Sequence, residues 1–394
     1  MRLPRPRLRR HPGRVAVALS VGALLAASYA PGAGAASAPS AADPAPGTGR
    51  YETPVVAADP ANPTNPLAGR RWGVYTGTME QSWRPYLNAD AAWKKNLLAE
   101  IALRPKSKWF GSWIGERDIE GMVREYVRSS QAGDPDALVQ MALFRMRPWG
   151  SEVCERLPTE AEKASYKSWI AGAARGIGDA HAAVVLQPDL LVARCAPDGG
   201  QAVAWLVAWA TRTLSAQPHT SVYIDAGAHD WPPPSRGGAK AAVDYLVKSG
   251  VRAARGFAMN GTHYSDVRLE VQRAAEIDAD LRRRGIEGKK AVISTSSNGK
   301  PFVFGAYDPQ TERDNARVCR SATDPQMCVT LGIPPSMDPD APAWGLPADT
   351  AAQAARVVDG YVWFGRPWLY NQADPFVWTR AYQLVRSWPL RPPA

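Results

Sequence analysis

The sequence predicts an α/β protein built as one distorted (β/α) TIM-like barrel. Short apolar, β-type runs alternate with longer amphipathic segments along most of the chain, the pattern of a parallel sheet covered by helices. Four of the runs end in polar residues: Ala182–Leu186 leads to Asp189, Ser221–Ile224 to Asp225, Arg255–Met259 to Asn260, and Ala291–Thr295 to Ser297 and Asn298. Barrels place chemistry at the carboxyl ends of their strands. About 330 residues, from Leu67 to Ala394, suit a closed barrel with insertions.

Three segments are expected along the chain. Residues 1–36 read as a secretory signal: a basic stretch (Arg2 to Arg14), an apolar run (Val15 to Ala30) and small residues at Gly32 to Ala36. Residues 37–66, rich in Ala, Pro, Gly, Asn and Thr without periodicity, read as a disordered linker. Residues 67–394 are expected to form a single barrel domain.

Within that domain strands are expected at Arg71–Tyr75, Lys108–Ile114, Leu138–Phe144, Ala182–Leu186, Ser221–Asp225, Ala254–Ala258, Lys290–Thr295 and Tyr361–Phe364. Helices are expected at Ala89–Leu103, Asp118–Ser130, Thr159–Ile177, Gln201–Ser215, Gly238–Lys248, Asp266–Arg284 and Pro375–Ser387. Gly299 to Ala355 has little regular pattern and reads as a long loop region near the site. An open doubly wound sheet is the alternative, but no Gly-rich phosphate turn follows the first strand, which argues against a nucleotide cofactor.

Composition narrows the class. The net charge of +10 includes six arginines of the leader, so about +4 remains for the mature chain. That is too weak and scattered for nucleic acid. No stretch beyond the leader could cross a bilayer, so an exported, soluble monomer is expected. Fifteen tryptophans provide flat apolar surfaces on which sugar rings stack. The four cysteines fit an oxidising compartment. Cys154–Cys195 and Cys319–Cys328 are the expected pairs among three pairings. Metal-ligand spacing is absent, and no cofactor is expected.

Two carboxylates on separate strand ends can form an acid and base pair, as glycoside hydrolysis requires. Asp189 lies beside Pro188 and among Leu186, Leu190 and Leu191. Desolvation there raises a carboxyl pKa, as a general acid needs.

These motifs resemble glycoside hydrolase family 6, the inverting β-1,4-glucanases and cellobiohydrolases. VVLQPDLL (Val184 to Leu191) resembles a strand ending in Glu-Pro-Asp-Ser-Leu. VYIDAGAHDWP (Val222 to Pro232) resembles Tyr-Leu-Asp-Ala-Gly-His…Trp. RGFAMNGTHY (Arg255 to Tyr264) resembles Gly-Phe…Asn…Asn-Tyr, and STSSNG (Ser294 to Gly299) resembles Thr-Ser-Arg-Asn-Gly. Weaker matches lie at KWFG (Lys108 to Gly111) and CVTLGIPPS (Cys328 to Ser336). The resemblance implies a distorted barrel, the same two disulfides and a β-linked glucan substrate. It implies that Asp189 is the proton donor and that Asp225 supports the substrate-binding centre. Asn260, His263, Tyr264 and Asn298 would line the cleft, with Trp109, Trp231, Trp363 and Trp368 as candidate sugar platforms.

Two departures stand out. The family's Arg-Asp-Cys is SEVC here (Ser151 to Cys154), so its tuning acid is absent and Glu152 is the candidate substitute. The family's Lys-x-Pro-Gly-Glu-x-Asp loop reads GRPWLYNQADPF (Gly365 to Phe376). Arg366 keeps a positive charge, Gln372 falls where the acid would be, and Asn371 lies beside it. Asp374 is then either a displaced base or a cap on the last helix. Short connections at Gly227 to Gly238 and Trp368 to Pro375 favour an open cleft and internal cleavage. The competing readings are a glycan-binding relative with weak catalysis, and a hydrolase of another β-glucan.

Overall fold

The computed structural model describes residues 51–307 and 313–392. The signal segment, and the linker as far as residue 50, lie outside the described residues. In chain order the elements are α1 (Trp83–Leu87), α2 (Ala92–Ala102), β1 (Lys108–Gly111), α3 (Ile119–Gln131), β2 (Val139–Phe144), α4 (Glu160–Ile177), β3 (Ala182–Leu186), α5 (Gln201–Ser215), β4 (Thr220–Asp225), α6 (Gly238–Lys248), β5 (Gly256–Met259), α7 (Val267–Arg283), β6 (Lys290–Ser294), α8 (Ala348–Val357), β7 (Val358–Val362), β8 (Leu369–Tyr370), β9 (Ala373–Phe376) and α9 (Trp378–Arg386).

β1 to β7 form one sheet in sequence order, every pair parallel. The central strands are buried on both faces, as a parallel sheet with a helical jacket must be. Alternate side chains divide between two cores. Val184, Val222, Phe257 and Ile293 face the helices. Ala142, Val185, Tyr223, Ala258, Val292 and Val362 fill the concave side. Between β1 and β7 the seam carries no ladder. It is spanned by Ser107 N donating to Trp363 O at 2.9 Å and by Trp109 Nε1 donating to Phe364 O at 2.6 Å. The barrel is therefore curled and incompletely closed, with seven strands where eight were expected. The expected strand at Arg71–Tyr75 contributes only one bridge, Trp72 to Leu138.

Local chemistry sets the helix ends. α4 begins at a capping box: Thr159 accepts from Glu162 N and Glu162 accepts from Thr159 N. Asp266 caps α7 through Arg268 N. The last helix departs from expectation. It starts at Trp378, and Val377 is its cap. Asp374 and Pro375 lie instead in β9, paired antiparallel with β8, so Asp374 caps nothing. The stretch read as irregular contains α8, an alanine-rich helix packed on α7. Both expected disulfides are present, Cys154–Cys195 and Cys319–Cys328.

Residues 51–66 correct the expected boundary at Leu67. They have no helix or strand, yet Thr53, Asn62 and Asn65 are buried. Their anchor is Asp359, fully buried at a bulge in β7 where Ala291 and Val292 face Val358 and Gly360. The bulge turns Asp359 inward. There it accepts from Tyr223 OH (2.7 Å), Arg255 Nε and Nη2 (both 2.8 Å) and Asn62 Nδ2 (2.8 Å). Asn65 Nδ2 donates to its carbonyl. One carboxylate thus joins β4, β5, β7 and the N-terminal segment at the floor of the barrel. Asp359→Ala should cost about 3–5 kcal/mol, because Arg255 is left without its partner; urea denaturation of both proteins checks this.

Candidate active site

The turn after β3 places the first carboxylate. Gln187 and Asp189 both adopt left-handed backbone, with φ of 54° and 62°, a conformation that costs non-glycine residues about 1 kcal/mol or more each. The surroundings hold it there. Gln187 N donates to Leu143 O at 2.8 Å, and its buried side chain accepts from Met146 N at 3.2 Å at the end of β2. The half-buried Asp189 therefore stands at the carboxyl end of β3. Burial raises its pKa above the ordinary carboxylate value, opposed by the His263 charge and a hydrogen bond with the Thr262 side chain.

Asp225 ends β4 on the concave side, two residues after Tyr223. It is buried, and Gly227 N donates to its Oδ1 at 3.1 Å. Burial, then the Asp189 charge, push its pKa well above the usual range; backbone hydrogen bonds from Gly227 and Leu190 pull it down. Neighbouring carboxyls in a desolvated site resist ionising together, and the Asp189 charge opposes ionisation of Asp225. Gly227 is required here: its φ is 81°, and a side chain would strike Trp231 O at 2.3 Å.

A third strand end supplies polar partners. His263 Nδ1 lies 2.7 Å from Asp230 Oδ1, and Phe304 N donates to Asp230 Oδ2 at 2.7 Å. The imidazole stacks on Phe304 at 4.2 Å and tilts against Trp231 at 6.0 Å. Burial disfavours its charged form, but Asp230, Glu270 and Asp189 outweigh this and raise its pKa. Glu270 on α7 is buried, accepts from His229 N at 2.7 Å, and is pushed up to about 7 chiefly by burial. Asp314 at the exposed edge is pushed up to about 6, by desolvation of its carboxyl and by Asp189. Among the described residues no cluster of His, Cys, Asp or Glu could hold a metal ion.

The expected site residues divide sharply. Asp189, Asp225, His263 and Trp231 converge, and Trp231 keeps a partly exposed face. Asn260, Tyr264 and Asn298 belong to the frame instead. Asn260 is buried with φ of 65° and donates to Ser294 O at 2.9 Å. Tyr264 is buried and donates to Arg313 O, and Asn298 Nδ2 donates to Ser265 O. Trp109, Trp363 and Trp368 are packing residues, at most 5% exposed, and offer no free face for a sugar. Trp363 Nε1 donates to Ile333 O, and Arg366 covers Trp109 at 4.3 Å. Burial lowers the Arg366 pKa to about 10.

Glu152 is exposed and paired with Arg156 at 2.9 Å, which also binds Glu162; it is not among the groups that shift Asp189. In the C-terminal loop Asn371 and Asp374 are exposed, while Gln372 is buried. The Gln372 amide accepts from Arg366 N at 2.8 Å and donates to Thr262 O at 3.2 Å. The residues not anticipated are Asp230, Thr262, Glu270, Phe304 and Asp314. Asp230 and Thr262 lie inside the motifs quoted above, adjacent to residues that were singled out. Glu270 looks like an ordinary helix charge, and Asp314 lies in the stretch without pattern. Trp149, in edge contact with Phe144 at 5.6 Å, and Trp113, 55% exposed after β1, add aromatic surface at strand ends.

A desolvated carboxyl pair at adjacent strand ends, bordered by a tryptophan and a histidine, defines a barrel hydrolase of the acid-assisted class. The family model for glycosyl hydrolases family 6 matches residues 49–301, and the chain belongs to that family. Endoglucanase 1 of Streptomyces halstedii is 28% identical over 205 residues, which is 51% of this chain and 61% of that protein. Endoglucanase A of Thermobispora bispora is 24% identical over 61% of this chain and 51% of its own length. The chain thus spans between half and two thirds of the curated relatives it matches. The endoglucanase Cel6 of Mycobacterium tuberculosis, solved with methyl-cellobiosyl-4-deoxy-4-thio-β-D-cellobioside, superposes with a TM-score of 0.63 at 26% identity, covering 82% of this chain and 98% of that one. The catalytic core of the cellobiohydrolase Cel6A of Chaetomium thermophilum shares the fold, with a TM-score of 0.57 at 16% identity over 82% and 98% of the two chains.

The division between site and packing is testable by stability. Trp363→Ala should cost about 3–5 kcal/mol, as truncating a large buried side chain does. Glu152→Gln should cost less than about 1 kcal/mol, as for exposed ion pairs generally. Thermal melting of both variants measures the contrast.

Proposed function

We propose that this protein is a secreted, inverting β-1,4-glucan hydrolase that cleaves cellulose-type chains internally. The observation that carries this reading is Asp189: a carboxyl held by a left-handed turn at a strand end, its pKa raised by burial. Such a group matches the demand on a general acid near neutral pH.

In this mechanism Asp189 gives its proton to the glycosidic oxygen as the C1–O bond breaks. Water attacks C1 from the opposite face, and the new reducing end has the α configuration. Asp225 acts through Asp189, keeping the pair partly protonated and fixing the turn beneath the sugar. Trp231 is the platform for the leaving-group sugars. Gln372 stands where the family has an acid, and an amide does not accept the proton of the attacking water. Asp374 is the nearest carboxylate along that loop, and its exposure suits proton removal through a chain of waters. Two disulfides support the exported form, and a monomer remains the expected state.

The relatives named endoglucanase support this substrate class. Soluble cellulose and cello-oligosaccharides, with the anomer of the new end followed by NMR, provide the test. Wild type should release the α-anomer. Asp189→Asn should lose about 10²–10⁴-fold in kcat while melting normally. Release of β-anomer would refute inversion. Binding without cleavage would assign the chain to the glycan-binding relatives, and neither would mean a different polysaccharide. Trp231→Ala should raise KM about tenfold or more with little change in kcat or melting temperature; an unchanged KM would remove its platform role.

A further inference from the structure

Two departures from the family motifs meet in space. The resemblance has Asn-Tyr where this chain has His263-Tyr264, and a histidine after Asp-Ala-Gly where it has Ala228. The His263 imidazole is instead bonded to Asp230, which follows two residues after Ala228. Both side chains are at most 10% exposed. Asp230 has no freedom to leave: its second oxygen accepts from Phe304 N, and Phe304 covers the face of the ring. A carboxylate on Nδ1 fixes the orientation of an imidazole and stabilises its protonated form, leaving Nε2 as the second donor.

The groups around the imidazole come from four places in the fold. Asp230 follows β4, Asp189 follows β3, Glu270 lies on α7, and Asp314 lies on the edge loop with Arg313 beside it. Phe304 and Trp231 complete the enclosure. Thr262, the residue before the histidine, favours the ionised form of Asp189, and its carbonyl accepts from Gln372.

We infer that His263, held by Asp230, is a positioning residue that presents a cation to Asp189 and stabilises the carboxylate left when its proton has passed to the leaving oxygen. The step balances. The Asp189 O–H bond breaks as the sugar O–H bond forms, the C1–O pair goes to the oxygen, and the new negative charge on Asp189 is met by an imidazole whose charged form Asp230 favours. This rests on the assignment of Asp189 as the acid. A cation there also lowers the pKa of Asp189, so it sets the alkaline limit of activity.

The test has one arm that needs no substrate. In NMR titration of isotope-labelled histidine, the His263 signal is identified as the one absent from His263→Asn. It should titrate above the free-histidine value in wild type. The midpoint should fall in Asp230→Asn and also in Asp189→Asn, each of which removes a neighbouring negative charge. If it is unmoved in Asp189→Asn, the inference is overturned, whether or not the wild type cleaves glucan. If Asp230→Asn does not fold, as judged by melting, the Asp189→Asn comparison decides alone. The second arm is the pH profile of kcat/KM. In His263→Asn the alkaline limb should move up by about one pH unit with a reduced maximum, because the acid has become weaker. A profile lowered uniformly, with its limb unmoved, would show that His263 only packs. A wild type inactive on every glucan would refute the hydrolase reading while leaving the titration arm standing.

Discussion

The repulsion between Asp189 and Asp225 is the constraint that organises this molecule. Two carboxyls at neighbouring strand ends, both desolvated, are unfavourable unless rigid backbone keeps them there. The fold provides that rigidity from three sides. β3 and β4 are paired along five residues. The turn at Gln187 and Asp189 is held by β2. Gly227 lets the chain after Asp225 turn close over Trp231, and Asn260 N donates to Gly227 O at 2.7 Å. The left-handed Gln187 and Asp189 store a little strain at the top of the barrel, and the packed strands below prevent its relaxation.

The floor offers the opposite electrostatic solution. Asp359 is as deeply buried as any carboxylate in the chain, but it meets Arg255, Tyr223 and Asn62. There the charge is satisfied. At the top burial outweighs the neighbouring His263 and the backbone donors, and the carboxyl pKa values rise. The same sheet thus carries an acid paired with arginine at one end and acids of raised pKa at the other.

Much of the frame was legible because a buried parallel strand is a short apolar run with a defined end. β3, α5 and α6 lie where the pattern placed them, and the acids at the ends of β3 and β4 followed from it. Errors arose where the signal was not local. Trp72 has the composition of a strand residue, but the sheet edge gives it one bridge only. The Ala348–Val357 helix was hidden among prolines and loops. Residues 51–66 look disordered by composition, yet asparagines bind a buried aspartate almost 300 positions away. Tryptophans were the least legible. Trp231 and Trp363 both follow strand ends, and only the packing of α9 and the C-terminal loop determines which ring keeps a free face.

The C-terminal loop shows how an amide can stand where an acid was expected without leaving a hole. Gln372 is buried, and a carboxylate there would repel the Thr262 carbonyl that its Nε2 now contacts. The amide makes one acceptor and one donor bond, tying the Arg366 backbone to the segment that carries Thr262 and His263. Exchange of acid for amide thus removes a charge from one side of the site and firms the attachment of the other. The His263–Asp230 pair lies on that firmed side. The buried amide thus ties the C-terminal loop to the segment on which the His263–Asp230 pair is built.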